Sequence, residues 1–371
     1  MSEIAIRSVK EPGAKKCIEI SFRRPMSSQR FEERLSFSRH QQKITAKFIN
    51  AMDDFSCRAR AYRRQKNEKK LKAVNKNAEE RLKRYGKKLF KILSGVRSVR
   101  VKNFEDIFGE GLSTLTLNLD NKTRRFPWEL AYDGQDFLCT KYEVGRTWIV
   151  QKANYLSGNP PLSKKALVIG LNYTWADKDN WLNTPKVEAL QVKRRLEKLG
   201  YSPILLRDEE ATKERVMDIL SKHVSVFHFS GHGQFLKNQP EGKKGRLILY
   251  DNEVITEDDF RECFRRAGGA PYLVFINACQ SAKEIYNSHL IDAFLENGAE
   301  SIVGTVWSVY DHPSRDMAIK FYDKVVEGWH FGAALYSARQ QILYSRKKED
   351  TLTWPAFVLY GDPNNTLPEA P

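Results

Sequence analysis

The stretches VSVFHFSGHG (224–233) and YLVFINACQS (272–281) decide the fold that we predict for this chain. Each begins as a continuous apolar run, which is typical of a strand buried on both faces of a sheet. Each ends in a residue type that carries chemistry, His232 in the first and Cys279 in the second. Reactive groups of open parallel sheets sit just past the carboxyl ends of the strands, so we expect both side chains to face one cleft.

Apolar runs and helical segments alternate through the rest of the second half of the chain. We predict further core strands at 166–171, 201–206, 301–307 and 356–360, with helices between successive strands. Thr256 is the expected N-cap of one of these helices. Uniformly apolar strands that alternate with helices indicate an α/β fold, in which a mostly parallel sheet is covered by helices on both faces.

The first half of the chain has a different pattern. We predict strands at 18–22 and 115–119 and a helical stretch at about 51–93. Six residues form one apolar face near the end of that stretch: Leu82, Tyr85, Leu89, Ile92, Leu93 and Val96. Such a stripe favours a helix packed on its own domain, and association with a membrane surface is the weaker alternative. Gly86 is expected to weaken the helix.

A polar segment with two prolines, residues 157–165, is the predicted linker between two parts of the chain. We expect a basic N-terminal region of helices and strands over residues 1–156. Residues 166–371 then form the domain that holds both candidate reactive residues.

Positive charge is concentrated at one end of the 371-residue chain, whose formal net charge is +16. Residues 1–100 contain 28 Lys and Arg against 10 Asp and Glu, whereas the remainder is close to neutral. This excess suits an acidic partner, which could be nucleic acid, an anionic membrane surface or an acidic protein. A hydrophobic content of 41% excludes wholesale disorder.

The cysteines and the N-terminus favour a cytoplasmic protein. The five cysteines form no CxxC pair, and the polar opening MSEIAIRSVKEPGAKK does not resemble a signal peptide. No run of about 18 apolar residues occurs that would span a membrane. We interpret four cysteines as small buried core residues: Cys17, Cys57, Cys139 and Cys263.

The two strand ends suit nucleophilic attack on a carbonyl group. Cys279 would form a covalent acyl intermediate, and His232 would accept the thiol proton and pass it to the leaving amine. The backbone amides of Gly233 and Cys279 are candidates for the oxyanion hole. Gly231 and Gly233 would let the backbone turn sharply beside His232.

A zinc site and a serine hydrolase are the competing interpretations of these residues. His228, His232 and Cys279 could ligate a metal, but a His-x-x-x-His spacing suits a helix and here falls on a strand. We therefore interpret His228 as a buried core histidine. No G-x-S-x-G motif supports a serine nucleophile. We expect neither a metal nor a cofactor.

The motif HFSGHG (228–233), followed by INACQSA (276–282), resembles the paired His and Cys motifs of CHAT-domain peptidases, which are caspase- and separase-like cysteine proteases. Three other segments resemble further parts of this family in the same order along the chain: FPWELAYDG (126–134), GAESIVGTVWSVYD (298–311) and WPAFVLYGDP (354–363). One departure is Ala282, where the family usually has glycine.

The resemblance implies a caspase-like sandwich with a mostly parallel central sheet and helices on both faces. A smaller α+β, pseudo-protease-like region is expected to precede it. The resemblance also implies that His232 and Cys279 form a catalytic dyad. Trp307 and Asp311 match a loop that shapes the substrate pocket in some relatives, although Asp311 could equally be the N-cap of the following helix.

For function, the resemblance implies a cysteine endopeptidase that cleaves a specific partner protein and needs no cofactor. Many family members act in bacterial defence pathways and are released from inhibition by a bound partner. A regulatory protein or nucleoprotein docking on residues 1–100 is therefore expected. The alternative is a catalytically silent caspase-like module that recognises nucleic acid or an acidic protein through its basic region.

Overall fold

The computed structural model describes residues 2–9, 17–23, 31–36, 39–95, 101–120, 122–148, 162–176, 178, 181–236, 245–278, 290–345 and 352–368. Its helices are α1 (Arg39–Arg64), α2 (Glu68–Ser94), α3 (Phe104–Phe108), α4 (Leu138–Lys141), α5 (Pro185–Lys198), α6 (Lys213–Leu220), α7 (Glu257–Ala267), α8 (Leu290–Leu295), α9 (Asp311–Val326) and α10 (Phe331–Leu343). Its strands are β1 (Ser2–Val9), β2 (Cys17–Arg23), β3 (Phe31–Ser36), β4 (Thr114–Leu119), β5 (Glu143–Trp148), β6 (Lys165–Gly170), β7 (Ser202–Arg207), β8 (Val226–Gly231), β9 (Gly233–Phe235), β10 (Gly245–Ile248), β11 (Val254–Thr256), β12 (Leu273–Ala278), β13 (Ser301–Thr305) and β14 (Phe357–Gly361).

The central sheet has the strand order β3-β2-β1-β4-β5-β14-β13-β12-β8-β6-β7. Strands β13, β12, β8, β6 and β7 run parallel to one another, and β1, β4, β5 and β14 form a second parallel set. The two sets meet at the antiparallel pair β13–β14. Strands β9, β10 and β11 form a separate small sheet. The predicted mostly parallel sheet is therefore confirmed.

Helices cover both faces of this sheet. Phe227 of β8 packs against rings of α7 and α8, with its centroid 5.9 Å from that of Phe294. The next residue, His228, faces the ring of Tyr322 on α9, 5.5 Å away. Because successive side chains of a strand point to opposite faces, α7 and α8 lie on one face and α9 on the other. The expected three-layer arrangement is confirmed.

The predicted helical stretch at about 51–93 is helical, and it consists of parts of two helices, α1 and α2, which form a hairpin. The break falls at Lys66, which has a positive φ of 52°. Asn67 then caps α2 by accepting a hydrogen bond from the backbone N–H of Lys70 at 3.1 Å. A three-residue turn built from polar residues does not interrupt the helical pattern of the sequence, so periodicity alone did not reveal it.

The apolar stripe of α2 is buried in the protein core. Leu82 and Leu89 are each 1% exposed, which confirms that this helix packs on its own protein. A stripe that is already buried cannot insert into a lipid surface, so the alternative of membrane association through this stripe is wrong. Within the described ranges, none of the helices combines the length and the hydropathy that a membrane crossing needs.

The N-terminal strands belong to the same sheet as the C-terminal ones. Strand β5 pairs with β14, and β1 with β4, so the sheet continues across the predicted division at residues 157–165. Strand β6 begins at Lys165, the last residue of the predicted linker, and residues 151–161 lie outside the described ranges. The boundaries of the two parts stay a prediction.

Gly86 is where the segment 126–134 meets α2. A Cβ atom at Gly86 would lie 2.4 Å from the carbonyl oxygen of Leu130 and 2.6 Å from the Cβ of Tyr132. The backbone N–H of Tyr132 donates to the carbonyl oxygen of Gly86 at 3.0 Å. The helix therefore accepts a glycine because another backbone segment crosses it in direct contact.

We expect Gly86→Ala to lower the free energy of unfolding, although alanine is the better helix former by about 1 kcal/mol. The added methyl meets backbone that cannot rotate away, and overpacking of this kind costs about 1–3 kcal/mol. Asn77→Ala, at an exposed position of the same helix, is the control and should be neutral or slightly stabilising. Urea unfolding measures both, and a stabilised Gly86→Ala protein would contradict the close approach.

Candidate active site

The register of β8 and β12 brings the two predicted site segments together. Ser230 lies opposite Asn277, and Gly231 lies opposite Ala278. His232 directly follows Gly231, and Cys279 directly follows Ala278. The two strands are parallel neighbours, so the chain leaves both of them at the same edge of the sheet. The predicted adjacency of these two strand ends is confirmed.

Cys279 itself lies outside the described residues, as do Ser281 and Ala282. The carbonyl group of Ala278, which precedes Cys279, is described, however. The carbonyl oxygen of Ala278 accepts a hydrogen bond from Thr305 Oγ1 of β13 at 2.6 Å. Strands β8 and β13 thus flank β12, and Thr305 holds the backbone immediately before the predicted nucleophile.

Tyr173, a residue that the sequence analysis missed, orients the backbone at His232. Its fully buried hydroxyl accepts a hydrogen bond from the backbone N–H of His232 at 2.7 Å and donates one to the carbonyl oxygen of Ile248 at 2.7 Å. The rings of Tyr173 and His232 are 4.2 Å apart between centroids. No sequence signal distinguishes Tyr173 from a core tyrosine after a strand.

The local backbone supports the position of Tyr173. Tyr173 has a positive φ of 58°, which a tyrosine adopts only where its surroundings hold it. A Cβ atom at Gly231 would lie 2.6 Å from the Tyr173 hydroxyl. Gly231 ends β8 and has no positive φ, so its backbone conformation does not by itself require glycine. Glycine is required there because the tyrosine approaches closely.

A buried polar cluster joins α5 to the two strands β8 and β12. Glu188 of α5 is fully buried and accepts hydrogen bonds from Asn277 Nδ2 at 3.0 and 2.8 Å. His228 Nε2 lies 3.1 Å from Glu188 Oε1, a distance that fits an ion pair, although the angles do not fit a hydrogen bond. This approach is therefore an electrostatic contact. Burial, and secondarily the negative charge of Glu188, raise the pKa of the Tyr322 phenol.

Two motif residues that the predicted chemistry does not use make structural contacts in this cluster. His228, from HFSGHG, is a fully buried core histidine, as predicted. Asn277, from INACQSA, ties β12 to α5. Glu188 was missed, although a signal exists: it lies on the same helical stripe as three buried residues, Ala189, Val192 and Leu196. A carboxylate on an apolar stripe indicates a buried polar partner.

The structure contradicts the predicted substrate-binding role of Trp307. Its side chain is fully buried, and its indole N–H donates to the carbonyl oxygen of Leu352 at 2.8 Å. Its ring also meets the ring of Phe48 edge to face, with centroids 6.2 Å apart. A substrate cannot contact a buried indole, so Trp307 supports its loop from behind.

Asp311 is also engaged by its own protein. One carboxylate oxygen accepts a hydrogen bond from the backbone N–H of Asn183 at 2.7 Å, and the other accepts one from the hydroxyl of Thr184. The alternative N-cap role is wrong, because Tyr310 occupies the N-cap of α9 and Asp311 begins the helix. Asp311 therefore joins the start of α9 to the start of α5.

The other cysteines divide into buried and exposed ones. Burial raises the pKa of Cys139 to about 11 and that of Cys263 to about 11, so both thiols stay protonated at neutral pH and are poor nucleophiles. The prediction that Cys57 is buried is wrong, because it lies on an exposed face of α1. The side chain of Cys17 lies outside the described residues.

Within the described part of the chain, no cluster of three or more His, Cys, Asp and Glu side chains could hold a metal ion. The fully buried His228 lies among aromatic rings and Glu188, whereas the half-buried His232 follows the end of β8. Residues four apart across a strand end do not converge as they would on a helix.

The fold is that of separase- and gingipain-type cysteine proteases. The structure of Saccharomyces cerevisiae separase in complex with securin is similar with a TM-score of 0.59 at 13% identity. That match covers 97% of this chain but 30% of the separase chain. Gingipain R of Porphyromonas gingivalis, an Arg-specific cysteine proteinase, has a TM-score of 0.52 at 14% identity, covering 77% of this chain and 67% of its own.

The family model of the CHAT domain matches residues 83–362. The chain therefore belongs to the CHAT-domain family, and the resemblance seen in its motifs is confirmed. A search of curated proteins gives no match. Family and fold together support a function of the cysteine-protease type.

We expect Tyr173→Phe to disturb both stability and the His232 site. Loss of the hydroxyl removes two buried hydrogen bonds, which should lower the free energy of unfolding by about 1–3 kcal/mol. Tyr201→Phe is the matched control, because the Tyr201 hydroxyl is buried without a hydrogen-bond partner among the described residues and its loss should be neutral. Urea unfolding, together with the NMR signals of the His232 imidazole, measures the effect. Equal behaviour of the two variants would contradict the role of the Tyr173 hydroxyl.

Proposed function

We propose that this protein is a cysteine endopeptidase in which Cys279 is the nucleophile and His232 the general acid and base. The observation that carries the proposal is the register of β8 and β12, in which the residues before His232 and Cys279 lie directly opposite each other. A strand end supplies a rigid support for each group, as a reaction between side chain and substrate requires. Membership of the CHAT family adds independent support.

The proposed reaction proceeds in two halves. His232 takes the proton of the Cys279 thiol, and the sulfur attacks the substrate carbonyl carbon to form a C–S bond and an oxyanion. The backbone amides of Gly233 and Cys279 would stabilise that oxyanion. The C–N bond then breaks as His232 protonates the leaving amine. Water, deprotonated by His232, hydrolyses the thioester and regenerates the thiol.

Cleavage of a degenerate synthetic peptide library, analysed by mass spectrometry, tests the proposal. We expect Cys279→Ala to abolish cleavage and His232→Ala to slow it by about 10²–10⁴-fold, since proton transfer is lost. Cys57→Ala is the matched control, because it removes an exposed thiol on α1 that the mechanism does not use. Cleavage by the Cys279→Ala protein would refute the mechanism.

The proposal includes a specific protein substrate, control by a bound partner, and the defence role and cytoplasmic location that the family resemblance implies. The basic region supports a docking surface for the partner. Thirteen Lys and Arg residues of α1, α2 and their turn are exposed, against four exposed acidic residues. An acidic protein or a nucleoprotein has the charge that complements this surface.

The same surface favours a second candidate function, a catalytically silent module that binds nucleic acid or an acidic protein. We expect single-stranded RNA to bind with an affinity that falls steeply with salt, by a log–log slope of about −0.7 per neutralised phosphate. Lys87→Glu with Lys88→Glu, both exposed on α2, should weaken binding and flatten the slope.

Arg194→Glu with Lys198→Glu, exposed on α5, is the control. Electrophoretic mobility across a salt series measures this, and poly-glutamate as competitor tests for an acidic protein ligand. Equal loss in both variants would contradict a site on the hairpin.

A further inference from the structure

The segment that follows β13 lies beside the strand end that leads to the proposed nucleophile. Strand β13 is the neighbour of β12 on the side opposite β8, and it runs parallel to β12. Residues 306–310 therefore leave the sheet at the same edge as the chain leading to Cys279. They connect β13 to α9, which begins at Asp311. This segment flanks the proposed site on the side away from His232.

Helix α1 of the basic hairpin holds this segment through its backbone. Asp53 Oδ1 accepts a hydrogen bond from the backbone N–H of Ser308 at 2.8 Å. Arg60 Nη2 donates to the carbonyl oxygen of Val309 at 3.0 Å. Asp53 and Arg60 are seven residues apart, which places them on one side of the helix two turns apart.

Side chains of α1 hold the same segment on either side of these two bonds. The guanidinium carbon of Arg63 lies 4.0 Å from the centroid of the Tyr310 ring. Phe48 contacts the ring of Trp307 edge to face and stacks on Tyr85 of α2 with centroids 3.9 Å apart. Each residue from Trp307 to Tyr310 thus contacts a side chain of α1.

We propose that α1 positions the segment 306–310 beside the proposed active site, with Asp53 and Arg60 as positioning residues. Residues 306–309 are buried, so the segment supports the site from behind. This inference rests on the proposed function for its catalytic consequence, but the contact between α1 and the segment does not. The basic N-terminal region is then a structural support of the proposed active site. Its outer face stays exposed, so a partner bound there would act on the active site through α1.

Hydrogen exchange measured by mass spectrometry on the full chain tests the contact directly. Asp53→Ala removes the acceptor of the Ser308 amide, and we expect exchange in peptides covering 306–310 to be at least about tenfold faster. Asp53→Asn keeps an oxygen acceptor and should restore protection. Asp54→Ala is the matched control, because the neighbouring Asp54 makes an exposed ion pair with Arg58. Exchange in β6 serves as the internal reference for global folding.

Arg60→Met gives a second test should Asp53→Ala fail to fold, since it keeps the apolar stem and removes the donor to Val309. Arg58→Met, exposed on the same helix, is its control. Unchanged exchange at 306–310 in both Asp53→Ala and Arg60→Met would overturn the proposal.

Kinetics with the best-cleaved library peptide test the catalytic consequence. We expect kcat to fall at least fivefold in Asp53→Ala while KM changes less than twofold, because a buried support holds the strand ends of the site but does not touch substrate. Faster exchange with unchanged kcat would overturn the catalytic consequence. Should the wild-type protein cleave no peptide, the proposed function fails, and the exchange experiment still decides whether α1 holds the segment.

Discussion

The parallel pairing of β8 with β12 is the constraint on which the candidate site depends. Both strands are buried on both faces, so their register is set from two sides. On one face Phe227 packs among the aromatic rings of α7 and α8, and on the other His228 approaches Glu188. A slip of one residue would exchange these two side chains between the faces. It would also separate the residues that precede His232 and Cys279.

A buried carboxylate strengthens this arrangement. Glu188 has no contact with water, and a carboxylate in such a place is costly unless polar partners surround it. Asn277 supplies two hydrogen bonds from β12, and His228 lies beside the carboxylate on β8. Correct pairing of the two strands and correct docking of α5 therefore satisfy the same group. An apolar core would hold the layers together without specifying one register so strictly.

The N-terminal region is continuous with the rest of the molecule in two ways. Its strands extend the central sheet through β5 and β14, and its helical hairpin covers the segment after β13. Gly86 allows residues 126–134 to cross α2 in direct contact. The charge asymmetry of the chain thus maps onto one surface of a shared structure, since the inner faces of α1 and α2 are apolar and buried while the basic side chains lie outside.

Local patterns predicted most of the elements that build the site. The apolar runs at 166–171 and 224–229 correspond to β6 and β8, and Thr256 caps α7 as expected. The errors at Trp307 and Asp311 arose where long-range contacts decide. The burial of Trp307 and the engagement of Asp311 by Thr184 depend on residues far away in the chain. The turn at Lys66 is local, but its polar residues do not interrupt the helical pattern.

The sequence by itself determined the α/β class, the succession of strands and helices, and the two motifs at the strand ends. These follow from periodicity and from residue chemistry, which act over a few neighbouring residues. Only the tertiary structure decided that Tyr173 holds the backbone of His232, that Glu188 lies beneath both strands, and that α1 holds the segment after β13. Each of these contacts joins residues 50 or more positions apart, and no local pattern carries that information.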